Sequence, residues 1–160
     1  MSIEFPLRHG PRPSTTPTNP HTQLDQQPDD ASTSEALARR VFSLEGVEER
    51  SSIISVPGAR ALWLRDGLPT GPREAFMIGR EFAHLHPSPD RSLHMALPPD
   101  VVRTAIEQGW AELHPVAAQG LIPATAVMVY APRNAEEANI VARLVETSWR
   151  FARGEVETIL

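Results

Sequence analysis

The spacing of hydrophobic and polar residues changes several times along this chain, and each change marks an element. Ser32-Thr33-Ser34-Glu35 has capping-box spacing, a hydroxyl followed three residues later by a carboxylate. Leu37, Val41 and Leu44 follow at helical intervals, and Gly46 can stop the helix. Ile53, Ile54 and Val56 predict a strand ended by Pro57-Gly58, and Ala61-Leu62-Trp63-Leu64 predicts another ended by Asp66-Gly67. A loop over residues 67–72 leads to a long strand, Phe76 to His86, bent at Gly79. Pro87-Ser88-Pro89-Asp90-Arg91 then reads as a turn, with Ser92 to Leu97 returning as the partner strand. Pro98-Pro99-Asp100 opens a short helix carrying Val101, Val102, Ala105 and Ile106, and Gly109 closes it. Trp110 to Pro115 and Ala126 to Tyr130 predict two more strands. Asn134 caps a long helix with Glu136 and Glu137 in its first turn and a core stripe of Val141, Leu144, Val145, Ser148 and Phe151. The order predicts an α+β domain. Its sheet is mainly antiparallel, with an N-terminal helix, a short middle helix and a long C-terminal helix packed on it.

Residues 1–32 break this pattern. Six of the sixteen prolines lie here, among Ser, Thr, Asn and Gln, with few apolar residues. Such a segment buries too little surface to offset its ordering entropy, so it predicts a disordered arm ahead of a single domain over 33–160. His9 and His21 fall in the arm and are expected to play no part in a site.

Composition removes whole classes of chemistry. No Cys is present, which excludes disulfides, thiolate catalysis and Cys-based metal sites. All fifteen basic residues are Arg, so Schiff-base chemistry and a P-loop lysine are also excluded. A net charge of −5 argues against nucleic acid and anionic lipid as partners. No apolar run approaches the roughly 20 residues of a membrane helix, and the N-terminus lacks a signal-peptide core. The expectation is a cytoplasmic protein. No Gly-rich flavin or nucleotide fingerprint is present.

Four of the six histidines, His84, His86, His94 and His114, fall within 31 residues. On a strand His84 and His86 share a face. Pairing His86 with Ser92 puts His84 opposite His94, with Cβ atoms about 4.5–5.5 Å apart. The other face then carries Ala83, Leu85, Leu93, Met95 and Leu97. Glu112 and His114 share a face of a later strand and can join. Convergent imidazoles can hold a divalent metal, with His84, His86 and His94 as ligands, or work as an acid–base pair. The plain alternative is a sheet exposing its polar face. Arg133 sits before a helix N-terminus, where it can hold an anionic group or pair with Glu136 or Glu137. Trp63, Trp110 and Trp149 read as core before ligand platforms, and Ser92 lacks a nucleophile-elbow sequence.

The ordered blocks Glu81-Phe-Ala-His84-Leu-His86-Pro87, Asp90, Ser92-Leu93-His94, Gly109-Trp110-Ala-Glu112-Leu-His114-Pro115 and Tyr130-Ala131-Pro132-Arg133-Asn134 together resemble the small luciferase-domain family of bacteria and fungi. The resemblance spans about residues 33–154. It implies that His84, His86, His94, Trp110, Glu112, His114 and Arg133 are signature positions, and it suggests oxidation of a small molecule by oxygen. Two functions follow as expectations. One is binding or transformation of a small molecule at a His-lined pocket, with His84, His86, His94, His114 and Glu112 as catalytic groups and Arg133, Trp110 and Ser92 contacting ligand. The other is a non-enzymatic interaction module whose arm binds a protein partner.

Overall fold

The computed structural model describes residues 4–28, 30–120 and 123–155. Among them six strands form one antiparallel sheet: β1 (Val47–Ser51), β2 (Arg60–Leu64), β3 (Glu81–Leu85), β4 (Leu93–Ala96), β5 (Ala111–Leu113) and β6 (Ala126–Val129). Their order in space is β1-β2-β3-β4-β6-β5. The helices are α1 (Ser32–Phe42), α2 (Pro99–Glu107), α3 (Pro115–Ala118) and α4 (Ala135–Ala152). The α+β class read from the sequence is therefore the architecture of the protein. No helix among the described residues is long and apolar enough to cross a membrane.

One face of the sheet is covered by α1 and α4. Leu62, Leu64, Ala83, Leu85, Leu93, Met95, Val127 and Val129 point into this layer, against Leu37 and Val41 of α1 and Val141, Leu144, Val145 and Phe151 of α4. Asn134 caps α4 as its sequence predicts, its side chain accepting from the Glu137 amide at 2.9 Å. The capping box expected at α1 does not form. Asp30 instead accepts from the Ser32 amide at 2.6 Å, while Glu35 stays in the first turn. Where the loop after β2 reaches the end of α4, Gly71 donates to the Ala152 carbonyl. A Cβ there would meet the Phe151 carbonyl at 2.1 Å, so only glycine permits the approach.

Two elements differ from the hydrophobic pattern. The strand expected at Ile53, Ile54 and Val56 lies instead at Val47–Ser51, which carries Glu48, Glu49 and Arg50. It is an edge strand largely open to water, so its charged side chains hide it from a search for apolar alternation and also discourage edge-to-edge pairing. Ile53 and Ile54 sit in the following loop, and Ile53 is 77% exposed. The strand expected from Phe76 is shorter, with Gly79 in a turn at φ +55° before β3 begins at Glu81.

The other correction concerns the N-terminal segment. Residues 4–28 contain neither helix nor ladder strand, yet they lie against the domain. Phe5 is buried, the Trp110 indole donates to the Pro6 carbonyl at 2.7 Å, and the Arg8 amide donates to the Gln108 carbonyl at 2.9 Å. Farther along, Thr15 bridges Gln23, and the loop between them reaches the second face of the sheet, with Thr15 on Glu112 and His21 on His94. A few anchoring side chains and many hydrogen bonds to the domain do what average hydrophobicity does not reveal.

Candidate functional site: a buried histidine centre

The hairpin register is the one the alternation predicts. Ala83 faces Met95, His84 faces His94 and Leu85 faces Leu93, and the His86 amide donates to the Ser92 carbonyl. The same row continues across the sheet, His94 pairing with Met128 of β6 and Met128 with Glu112 of β5. His84, His94 and Glu112 thus share the face opposite the helices. A bulge adds a fourth member. Leu62 pairs with Ala83 but Trp63 pairs with Glu81, so β3 carries one extra residue there. The shift lets Glu81, three residues before His84, reach that imidazole on the same side. His86 extends beyond β3, and His114 follows β5 as the N-cap of α3. The fifth histidine comes from the arm: His21 is buried against His94.

Hydrogen-bond partners assign most of the imidazole protons. His84 Nδ1 lies 2.9 Å from the Glu81 carboxylate, so it carries the hydrogen and Nε2 is bare. The Ser92 hydroxyl donates to Asp90 and therefore accepts from His86 Nδ1 at 3.1 Å, leaving His86 Nε2 bare. The Asp90 Oδ2 atom, 2.8 Å from His86 Nδ1, adds its charge although no donor is aligned on it. His21 Nε2 donates to Glu112 at 2.8 Å, so His21 Nδ1 is bare. The Glu112 carboxylate also accepts from Thr15 and Tyr130, each at 2.9 Å. All three bare nitrogens face His94. His84 Nε2 and His86 Nε2 each stand 3.1 Å from His94 Nδ1, and His21 Nδ1 stands 3.0 Å from His94 Nε2. A neutral His94 has one hydrogen. In either tautomer it leaves unprotonated nitrogens facing each other.

Burial favours the neutral form of His84, His94 and His114. It drives the His94 pKa well below the ordinary value, and the neighbouring His84, His86, His114 and His21 add to the effect. His84 is lowered by burial against the pull of Glu81, and His114 falls to about 4 through burial and then His21. Burial works to raise Glu112, but hydrogen bonds from His21, Thr15 and Tyr130 outweigh it and hold the carboxylate below its usual range. Asp90 behaves likewise, held down by His86 and Ser92.

Among the described residues two triads have ligand atoms within 4.8 Å of one another: His84, His86 and His94, and His21, His94 and His114. Their proton assignments differ. In the first, all three inward nitrogens can be bare while the outward ones donate, to Glu81, to Ser92 and, from His94, to His21. In the second, His114 Nδ1 accepts from the Val116 amide at 3.0 Å, which leaves the hydrogen on Nε2 of a neutral ring. The first triad alone has the donor pattern of a metal site with supporting acceptors. A cavity of about 290 Å³ opens beside it, lined by His21, His86, His94 and His114 and rimmed by Ile54, Val56 and Pro57. A second hollow of about 570 Å³ shares Val56 and Pro57 with it.

Other sequence candidates fall elsewhere. Arg133 is engaged by Glu137, its Nε 3.0 Å from Oε1, and donates to the His9 carbonyl; it does not line the cavity. Trp110 is buried with its N–H on Pro6, and Trp63 and Trp149 likewise lie off the cavity. Ser92 is buried and holds His86. Sequence reasoning missed His21, because nothing in a Pro- and Thr-rich tract marks which residue will be buried. Glu81 and Asp90 stand inside the family-like blocks, but their backing role depends on the bulge and the turn.

An antiparallel α+β domain with a carboxylate-backed histidine centre beside a cavity is the class that fold and site define. Residues 79–148 match the Luciferase domain family. The match is in line with the resemblance of the chain's His, Trp and Tyr-Ala-Pro-Arg-Asn blocks to that family. It is similar to the proteins named Luciferase of Armillaria gallica, Armillaria ostoyae and Neonothopanus nambi, 30% identical over 161 residues and 91% of this chain. The chain spans about 60% of the length of these relatives. No solved structure matches it.

Proposed function

We propose that this chain is a luciferase-type domain that holds a divalent metal ion on His84, His86 and His94 and transforms a small organic substrate seated in the adjoining cavity, an oxidation by dioxygen as the name of its fungal relatives suggests. The observation that carries the reading is the set of facing bare nitrogens. Two species can occupy such a position, a proton or a metal cation. Burial and four neighbouring imidazoles disfavour the proton. A dication also offsets part of the charge of Glu81, Asp90 and Glu112, which all back the cluster.

Three imidazoles suit zinc, iron or copper, and such an ion would supply Lewis acidity or, if redox-active, electron transfer. The chain's own residues supply the rest. Glu81, Ser92 and Asp90 fix the ring orientations of His84 and His86. His114, neutral down to about pH 4, presents Nε2–H as a donor beside the cavity. Glu112 holds the His21 ring in place behind His94.

The test is elemental analysis of untagged protein, followed by titration of the metal-free chain with zinc and with ferrous iron under nitrogen. One equivalent bound, and lost in His84→Gln, is the expected result. A chain that neither retains nor takes up any divalent ion overturns the reading.

A further inference from the structure

We propose that His21 is a positioning residue of the centre: its Nδ1 fixes the hydrogen of His94 on Nε2, and so turns the Nδ1 lone pair of His94 toward His84 and His86. The proposal rests on the metal reading above and extends it to the N-terminal segment. His94 is the one ligand without a carboxylate of its own. His84 has Glu81 and His86 has Ser92 and Asp90, whereas His94 Nε2 meets only His21 Nδ1, 3.0 Å away. His21 is itself oriented by Glu112 at 2.8 Å, and that carboxylate by Thr15 and Tyr130. The chain Glu112–His21–His94 is thus a carboxylate–histidine–ligand relay with one extra imidazole in it. Acceptors behind a ligating histidine set its tautomer, and their loss weakens metal binding.

The consequence is that residues 15–23 are part of the site. Metal binding and the seating of this loop share one hydrogen bond, so each favours the other. Asparagine offers a test of the acceptor alone, because its carbonyl oxygen can take the place of Nδ1, whereas leucine offers no acceptor.

The full-length chain, His21→Leu and His21→Asn are each titrated with zinc by calorimetry, and thermal melts check that each is folded. In the zinc-loaded full-length chain, ¹⁵N NMR reads which nitrogen of His94 bears the hydrogen. The expectation is Nε2–H on His94, zinc binding roughly 10–100-fold weaker in His21→Leu, and recovery of most of that loss in His21→Asn. Zinc affinity unchanged in a folded His21→Leu, or a folded His21→Asn as weak as His21→Leu, overturns the inference and leaves the metal site standing. A His94 protonated at Nδ1 in the loaded chain also overturns it, whatever the variants do. Absence of zinc binding by the full-length chain overturns both readings.

Discussion

The two faces of the central sheet are built from the same strands and reach burial by opposite means. On the helix side, Met95 and Leu85 disappear beneath α1 and α4 among side chains that only need to fill space. On the other side, His84 and His94 are as deeply buried, but His94 lies against His21 of a segment of nearly irregular backbone. Apolar burial there is replaced by directed hydrogen bonds, and buried polar groups are costly unless each is matched. One face therefore stabilises the domain. The other holds nitrogens that a packed apolar layer could never present.

Neighbouring residues on opposite faces give the sharpest contrast. His94→Gln is expected to abolish binding of divalent metal while the chain stays folded, and Met95→Ala to cost about 2–5 kcal/mol of stability while metal affinity survives in the folded fraction. Denaturant melts paired with zinc titration separate the two. Large, equal stability losses with metal binding intact in both would mean that the faces do not divide the work this way.

The cover of the histidine face can be lifted next. Phe5→Ala, which loosens the start of the N-terminal segment, is expected to cost about 3 kcal/mol, near the low end for a buried phenylalanine. A chain beginning at Asp30 should lose at least as much and bind zinc more weakly. Melting curves identical to those of the full chain would show that this segment contributes nothing to the fold.

Acid should affect the two faces differently. His84, His94 and His114 have folded pKa values below the ordinary value of about 6.5. As the pH falls below 6.5 the unfolded chain takes up protons that the folded, metal-free chain refuses, so stability drops with falling pH. His114 contributes to this loss until about pH 4, where it too protonates in the folded state. Urea melts at pH 7.5, 6.5, 5.5 and 4.5 should show the decline. Stability independent of pH between 7 and 5 would contradict burial of neutral histidines.

The smallest effect belongs to the helix side. Asn134→Ala removes the α4 cap and should cost about 1 kcal/mol. Zinc affinity should not change, and a metal-binding defect in this variant would tie the centre to α4.

Much of the framework was legible locally. The pairing of His84 with His94 follows from alternation around a short turn, and α4 follows from Asn134 and a 3.6-residue stripe, because both depend on neighbours in sequence. The β1 edge strand escaped because its charged side chains face water and leave no apolar trace. Arg133 offered two equal readings, an anion site or an ion pair, and its engagement with Glu137 depends on where α4 and residues 8–9 lie.

By itself the sequence determined the α+β class, the excluded chemistries and four of the five clustered histidines, since composition and short-range periodicity are carried by the chain alone. The tertiary structure decided the rest: the bulge that turns Glu81 toward His84, the arrival of His21 from 73 residues away, and the resulting set of bare nitrogens around His94. Which nitrogen carries a hydrogen is set by the partner that long-range folding places beside it. That information resides in contacts between distant segments, where spacing along the chain has no bearing on geometry.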